Sequence, residues 1–268
     1  MNRDKLLAIA RKISSEASDF ANKLFSTTRI KIVHKHKVNP SFNYDILIDD
    51  FIYNQLIKTG IKVISEERVN NSKQEDIYWL VDPIDGSKGL IENDDVTINI
   101  ALIENGYPVF GVIENLRNKK QYFGLGNSDI YTKVKRFNKI DNSKLKLIIS
   151  KKHQNQNDKD FINQNSFHQV DKVNSSIKFI YLTNYLSDIY IRNEGSSGWD
   201  TAAAQAILES KGGLVYNLNN LNRLNYNSDL RNPPIVSLRK GLCIGSYSHI
   251  TKDIEIYEIN YIGSWQRQ

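Results

Sequence analysis

A four-residue apolar run, Tyr78, Trp79, Leu80 and Val81, gives way abruptly to Asp82-Pro83-Ile84-Asp85-Gly86, and no other stretch constrains the chain as strongly. Consecutive aromatic and branched residues read as a strand buried on both faces. Asp82 ends the strand on this reading, because Pro83 has no amide hydrogen for ladder pairing and Gly86 allows a tight turn. Two aspartates three apart across such a turn can converge on one point. There they repel unless a hard cation or a shared proton compensates them. Gly86, Ser87 and Lys88 then offer amides, a hydroxyl and a cation, a set suited to a phosphate oxygen. Taken alone, the same residues also make a capped turn with no chemistry.

Around this stretch the apolar periodicity predicts an α+β first half. Over residues 4–25, Leu6, Leu7, Ile9, Ala10, Ile13, Ala17, Phe20, Ala21 and Leu24 recur at helical spacing. Residues 29–34 alternate like a strand, and residues 39–45 are dense in turn formers. A second helix is predicted over 46–58, with Ile48, Phe51, Ile52 and Leu56 on its apolar face and Gly60 at its end. A brief strand at 61–64 delivers Glu66 and Glu67, which would point to opposite faces if the strand continued. Residues 96–104 and 108–114 flank Glu104-Asn105-Gly106-Tyr107 as a hairpin, and 120–125 adds a third strand, so this sheet is antiparallel. Residues 131–143 are charged and lack an apolar period, which places a domain boundary at 143.

In the second half, 144–268, strands at 144–149, 169–173, 188–192, 214–217 and 235–238 alternate with helices at 158–165 and 202–211, an α/β pattern. Residues 195–198 read as a flexible link and Asp200 as the N-cap of the second helix. The segment after Gly241 is apolar without a clear period. A length of 268 residues suits two such halves sharing an interface. The formal charge of +6 is spread along the chain, with no basic block interleaved with aromatics, which argues against a nucleic-acid polymer and for a small anionic substrate. Cys243 is the only cysteine, so no intrachain disulfide forms and a reducing cytoplasm is expected. No stretch reads as a signal peptide or membrane span, and a monomer or homodimer is expected.

Three acidic clusters and two phosphate-suited loops in fixed order change the weight of each single feature. SEE at 65–67, WLVDPIDGSK at 79–88 and GWDTAAAQAILESKGG at 198–213 together resemble the magnesium-dependent, lithium-sensitive inositol monophosphatase superfamily. The likeness covers nearly the whole chain. It implies a layered αβαβα sandwich of the inositol monophosphatase/fructose-1,6-bisphosphatase type. Within the superfamily the chain is most similar to the bacterial 3'(2'),5'-bisphosphate nucleotidases. Lys88 after the DGS, residues 97–113, SKKH at 150–153 and NSSIKF at 174–179 carry that likeness. It implies His153, Ser176, Lys178 and Arg192 around the nucleotide.

The resemblance further implies that Glu66, Asp82, Asp85 and Asp200, with the Ile84 carbonyl, hold two or three magnesium ions between the halves. Water oriented by Glu66 and Ser87 would attack phosphorus, with Gly86, Ser87 and Lys88 on the scissile phosphate and Asp200 also near the substrate. The family's aspartate for the nucleophilic water and third metal falls in an altered segment, where Asp45 fits best and Asp49 and Asp50 compete. The expected reaction is hydrolysis of adenosine 3',5'-bisphosphate to AMP and phosphate, in the setting of sulfur metabolism. An inositol or sugar phosphatase is the alternative within the class, and a non-catalytic nucleotide-binding protein the alternative outside it.

Overall fold

The computed structural model describes residues 2–27, 32–35, 40–68, 75–92, 94–132, 134–193, 195–227 and 230–261. The first amphipathic pattern is helix α1 (Arg3–Thr27), which turns Leu6, Ala10, Ile13, Ala17 and Ala21 inward. Strands β1 (Ile32–Lys35) and β2 (Pro40–Phe42) pair antiparallel, so part of the stretch expected to be turn is extended. Helix α2 (Asn43–Leu56) starts at Asn43 rather than at 46 and buries Ile48, Ile52 and Leu56. A 3-10 turn, Ile57–Thr59, and Gly60 at φ +75° close it; a side chain at that φ would be strained.

The first sheet contains β3 (Lys62–Ser65), β4 (Ile77–Asp85), β5 (Thr97–Glu104), β6 (Tyr107–Asn115) and β7 (Lys120–Leu125), in that spatial order, with the short helix α3 (Gly89–Glu92) between β4 and β5. It is mixed, since β3 pairs parallel with β4 while the remaining pairs are antiparallel. Asn105 and Gly106 both adopt positive φ, 50° and 77°, which lets a two-residue loop follow the strand twist between β5 and β6.

After β7 come β8 (Val134–Lys139), β9 (Lys146–Ser150), α4 (Gln156–Asn165), β10 (Gln169–Val173), α5 (Ile177–Thr183), β11 (Ile189–Arg192) and α6 (Gly198–Ser210). Then come β12 (Leu214–Asn217), β13 (Ile235–Leu238), β14 (Leu242–Tyr247) and β15 (Ile254–Tyr261). The second sheet has the order β10-β9-β11-β13-β12, parallel through β10, β9 and β11 and antiparallel at β13 and β12. A third sheet, β14-β15-β8, uses the ambiguous C-terminal segment. Residues 134–139, predicted to be irregular, are an edge strand. Residues 135–139 are exposed, so backbone pairing with β15 sustains the strand without an apolar period.

Alternation along β9 sorts the layers. Ile148 packs with Tyr78, Leu80 and Ala101 of the first sheet and with Phe179, Ala203 and Ile207 of α5 and α6. Leu147 and Ile149 point the other way, toward Phe161 of α4 and Ile254 and Ile256 of β15. The order is therefore α1 and α2, first sheet, α5 and α6, second sheet, then α4 with the third sheet. This is the expected αβαβα layering with a small sheet added to its outer layer. Helix α6 is buried nearly all round, and its alanines let it lie directly on β6, where a Cβ on Gly111 would come 2.2 Å from the Ala203 carbonyl oxygen. Burial of Ile207 and Leu208 adds about 1.5–3 kcal/mol each to that packing. The close approach fixes where the first turn of α6 meets the end of β4.

Candidate active site

Strand β4 does not end at Asp82; it continues through Pro83 to Asp85. Asp82 pairs with Asn99 and Asp85 with Thr97, so three steps on β4 match two on β5 and one extra residue bulges at Pro83-Ile84. A bulge accommodates a proline, because the extra residue makes no ladder bond. It also resolves the geometry of the pair. Residues three apart in a regular strand face opposite sides, whereas one inserted residue brings Asp82 and Asp85 to the same side. The Ile84 amide donates to Asp82 Oδ1 at 3.0 Å and pins the inner carboxylate.

Asp200 reaches the pair from the first turn of α6. It is not the N-cap: the helix begins at Gly198, where a flexible link was expected, and Ser197 caps it. The Ser197 amide donates to Asp200 Oδ2 at 2.9 Å, which orients the carboxylate. Carboxylate oxygens of Asp82, Asp85 and Asp200 all lie within 4.8 Å of one another. Burial, followed by repulsion from Asp85, pushes Asp200 up to about 6. Burial and repulsion from Glu66 hold Asp82 well above the usual carboxylate range, and burial and repulsion from Asp200 do the same for Glu66. Such a cluster needs a compensating cation, and its donors are hard oxygens of the kind magnesium takes.

Behind the cluster lies a joint that the sequence pattern does not reveal. The Ser176 hydroxyl is 2.7 Å from Asp85 Oδ2 and 3.0 Å from the Asp200 carbonyl oxygen, and it accepts from Asn99 Nδ2 at 2.7 Å. One hydroxyl thus ties β4, β5 and α6 together. Ser176, expected beside the nucleotide, is buried behind the carboxylates rather than on the cavity wall. Asn99 could have been noticed as an amide in the middle of a strand that is otherwise apolar.

A cavity of about 240 Å³ opens over the three aspartates. Its lining includes the acidic groups Asp45, Glu66, Asp82, Asp85 and Asp200 with Ile84, and also Gly86, Ser87, Lys88, His153, Lys178 and Arg192. All the predicted site residues except Ser176 therefore border one space. Glu66 and Glu67 both border it too, because the chain winds into a 3-10 turn, Glu66–Arg68, instead of continuing as a strand with opposed faces. Of the three competing aspartates on α2, Asp49 and Asp50 both pair with Arg68, while Asp45 faces the cavity.

The loop after β4 turns at Gly86, whose φ is +82°, and is closed by Gly89 N–H to the Gly86 carbonyl at 2.6 Å and Leu90 N–H to the Ser87 carbonyl at 3.0 Å. Burial together with Arg192, Lys88 and Lys178 pushes His153 down to about 4, so its imidazole is neutral at neutral pH. Burial lowers Lys178 to about 8 against the opposing pull of Asp85; its ammonium lies 5.5 Å from the Tyr190 ring centre. Phe179 and Tyr190 add aromatic wall to which the sequence pattern assigns no role.

The sequence profile of the Inositol monophosphatase family matches residues 2–249. The chain is 30% identical over 223 residues to the 3'(2'),5'-bisphosphate nucleotidase CysQ of Buchnera aphidicola, covering 79% of this chain and 83% of that one. It is 29% identical over 217 residues to the CysQ nucleotidase of Escherichia coli K12, covering 76% and 87%. The crystal structure of CysQ from Bacteroides thetaiotaomicron superposes with a TM-score of 0.69 at 24% identity, covering 87% of this chain and 97% of that one.

Proposed function

We propose that this chain, which belongs to the inositol monophosphatase family, removes the 3'-phosphate of adenosine 3',5'-bisphosphate to give AMP and phosphate. Its general activity is metal-dependent phosphomonoester hydrolysis. What supports the finer reading is a single cavity lined both by converging aspartates and by His153, Lys178 and Arg192. A substrate with one phosphate needs only the acidic groups and their metal. A second phosphate needs cations. The bisphosphate nucleotidases among the relatives support the same substrate.

Asp82, Asp85 and Asp200, with Glu66 and the Ile84 carbonyl, would hold the magnesium, and we favour two or three ions. Bound there, magnesium supplies Lewis-acid stabilisation of the phosphoryl and leaving oxygens. The chain's own groups do the rest. Glu66 and Ser87 orient a water in line with the ester bond, and Asp45 on α2 assists from the same side. The loop amides from Gly86 to Lys88, with the Lys88 ammonium, fix the phosphoryl oxygens. The water oxygen bonds to phosphorus as the P–O3' bond breaks, and the ribose oxygen leaves with a proton. His153, being neutral, meets the nucleotide as a flat polar surface rather than a charge; Lys178 and Arg192 face its anionic groups. Ser176 acts one step back, by holding Asp85 toward Asp200.

Phosphate release with magnesium tests the reading. Turnover of adenosine 3',5'-bisphosphate should exceed that of inositol 1-phosphate and fructose 1,6-bisphosphate. The reverse order would replace it with an inositol or sugar phosphatase.

A further inference from the structure

One cation on the cavity wall has no part in the reaction as described. Lys152 follows β9, next to His153, and lines the same cavity as Lys88. Its side chain is only 16% exposed, and its ammonium lies 2.9 Å from a carboxylate oxygen of Glu92. That pair is out of line for a hydrogen bond, and the buried ammonium makes none among the described residues. A lysine carries three donors, so the hydrogen-bonding capacity of this one is idle. Its partner is also a weak one. The Glu92 side chain, at the end of α3, is 53% exposed, and solvent screens a pair with such a carboxylate.

The neighbouring lysine behaves differently. Lys151 bonds Asp94 Oδ2 at 2.6 Å, and Asn174 Nδ2 donates to the same oxygen at 3.2 Å. That arrangement is satisfied, points to the surface and straps the loop after α3 to the second half. Lys152 is not needed for the strap. Its ammonium is buried and incompletely satisfied, and the residue lines the polar cavity that the loop turning at Gly86 also borders.

We propose that Lys152 is a specificity-determining residue, which exchanges Glu92 for the non-reacting phosphate of a bisphosphorylated substrate. A phosphate offers a full dianion and three acceptor oxygens where Glu92 offers one poorly aligned carboxylate. The exchange deepens the proposed function and rests on it. It makes Glu92 a competitor for the subsite, so removing either partner of the ion pair should have opposite consequences.

The test is the preference for adenosine 3',5'-bisphosphate over adenosine 3'-monophosphate, taken as the ratio of kcat/KM values, in wild type, K152A, K152Q and E92Q with magnesium. Removing a charge-assisted hydrogen bond that only the bisphosphate makes should lower the ratio at least about tenfold in both Lys152 variants, through KM of the bisphosphate. E92Q should raise it. Equal losses on both substrates, or E92Q falling together with K152A, would show a structural ion pair and overturn the assignment. If wild type hydrolyses neither nucleotide, the functional reading itself fails, a result visible before any variant is made.

Discussion

Asp200→Asn separates the two roles of the carboxylate cluster, because it should stabilise the metal-free protein while disabling it. Burial and Asp85 raise Asp200 from 3.8 to about 6. A group with a raised folded pKa favours folding at low pH, and that contribution disappears as pH rises from about 4 to about 6. Above that window the ionised carboxylate costs at most about 3 kcal/mol, from roughly two pH units at 1.36 kcal/mol each. Asp200 borders the cavity and is partly open to solvent, so about 1–3 kcal/mol is the expected range. Asparagine keeps an oxygen to accept the Ser197 amide and drops the charge. At about 2–4 °C per kcal/mol, the variant should melt about 2–12 °C above wild type at pH 8 in chelator. The gain should shrink toward pH 4. Added magnesium should raise the wild-type Tm by about 2.7 kcal/mol worth of binding at a hundredfold excess over Kd, leave the variant nearly unmoved, and reveal a loss of about a thousandfold in kcat/KM. A variant that melts below wild type in chelator at pH 8 would refute the reasoning and make Asp200 chiefly a structural cap.

Three further outcomes rest on single side chains. Ser176→Ala removes the hydroxyl joining Asp85, Asn99 and α6; chemical denaturation should show a loss of about 1–3 kcal/mol, with kcat down about tenfold or more. Gly111→Ala drives a methyl into the Ala203 carbonyl, so a loss of about 1–3 kcal/mol or more should come with weakened magnesium affinity, measured by calorimetry, as Asp200 shifts from the β4 pair. His153, pushed to about 4, should give no imidazole titration between pH 6 and 8 by NMR. Because its folded pKa is depressed, its contribution to stability is complete above pH 6.5 and is lost as pH falls toward 4.

The helices and most strands were legible because their apolar spacing is a direct image of the buried face: Ile48, Ile52 and Leu56 predicted the inner side of α2, and all three are buried. Strand β8 was not, since residues 135–139 are exposed and the strand is specified by its pairing with β15, far away in sequence. At the site, residue types announced the chemistry, but the geometry depended on tertiary partners. Pro83 read as a strand end because a proline in isolation breaks a ladder; only β5 alongside shows that it sits in a bulge. Glu66 and Glu67 read as opposed, and a 3-10 turn brings both to the cavity. Ser176 and Asn99 were hardest to place, because their function is a bond between elements far apart in sequence, and local pattern carries no record of that. Arg68 pairs with Asp49 and Asp50 while Asp45 lines the cavity, a division that no spacing could show.

Converging aspartates and the cations Lys88, Lys178 and Arg192 line one cavity, and phosphate release tests both sets at once. With magnesium, purified protein should release phosphate from adenosine 3',5'-bisphosphate faster than from inositol 1-phosphate or fructose 1,6-bisphosphate, and chelator should abolish release. Undiminished turnover in chelator, or binding of the bisphosphate without magnesium-dependent turnover, would contradict the account.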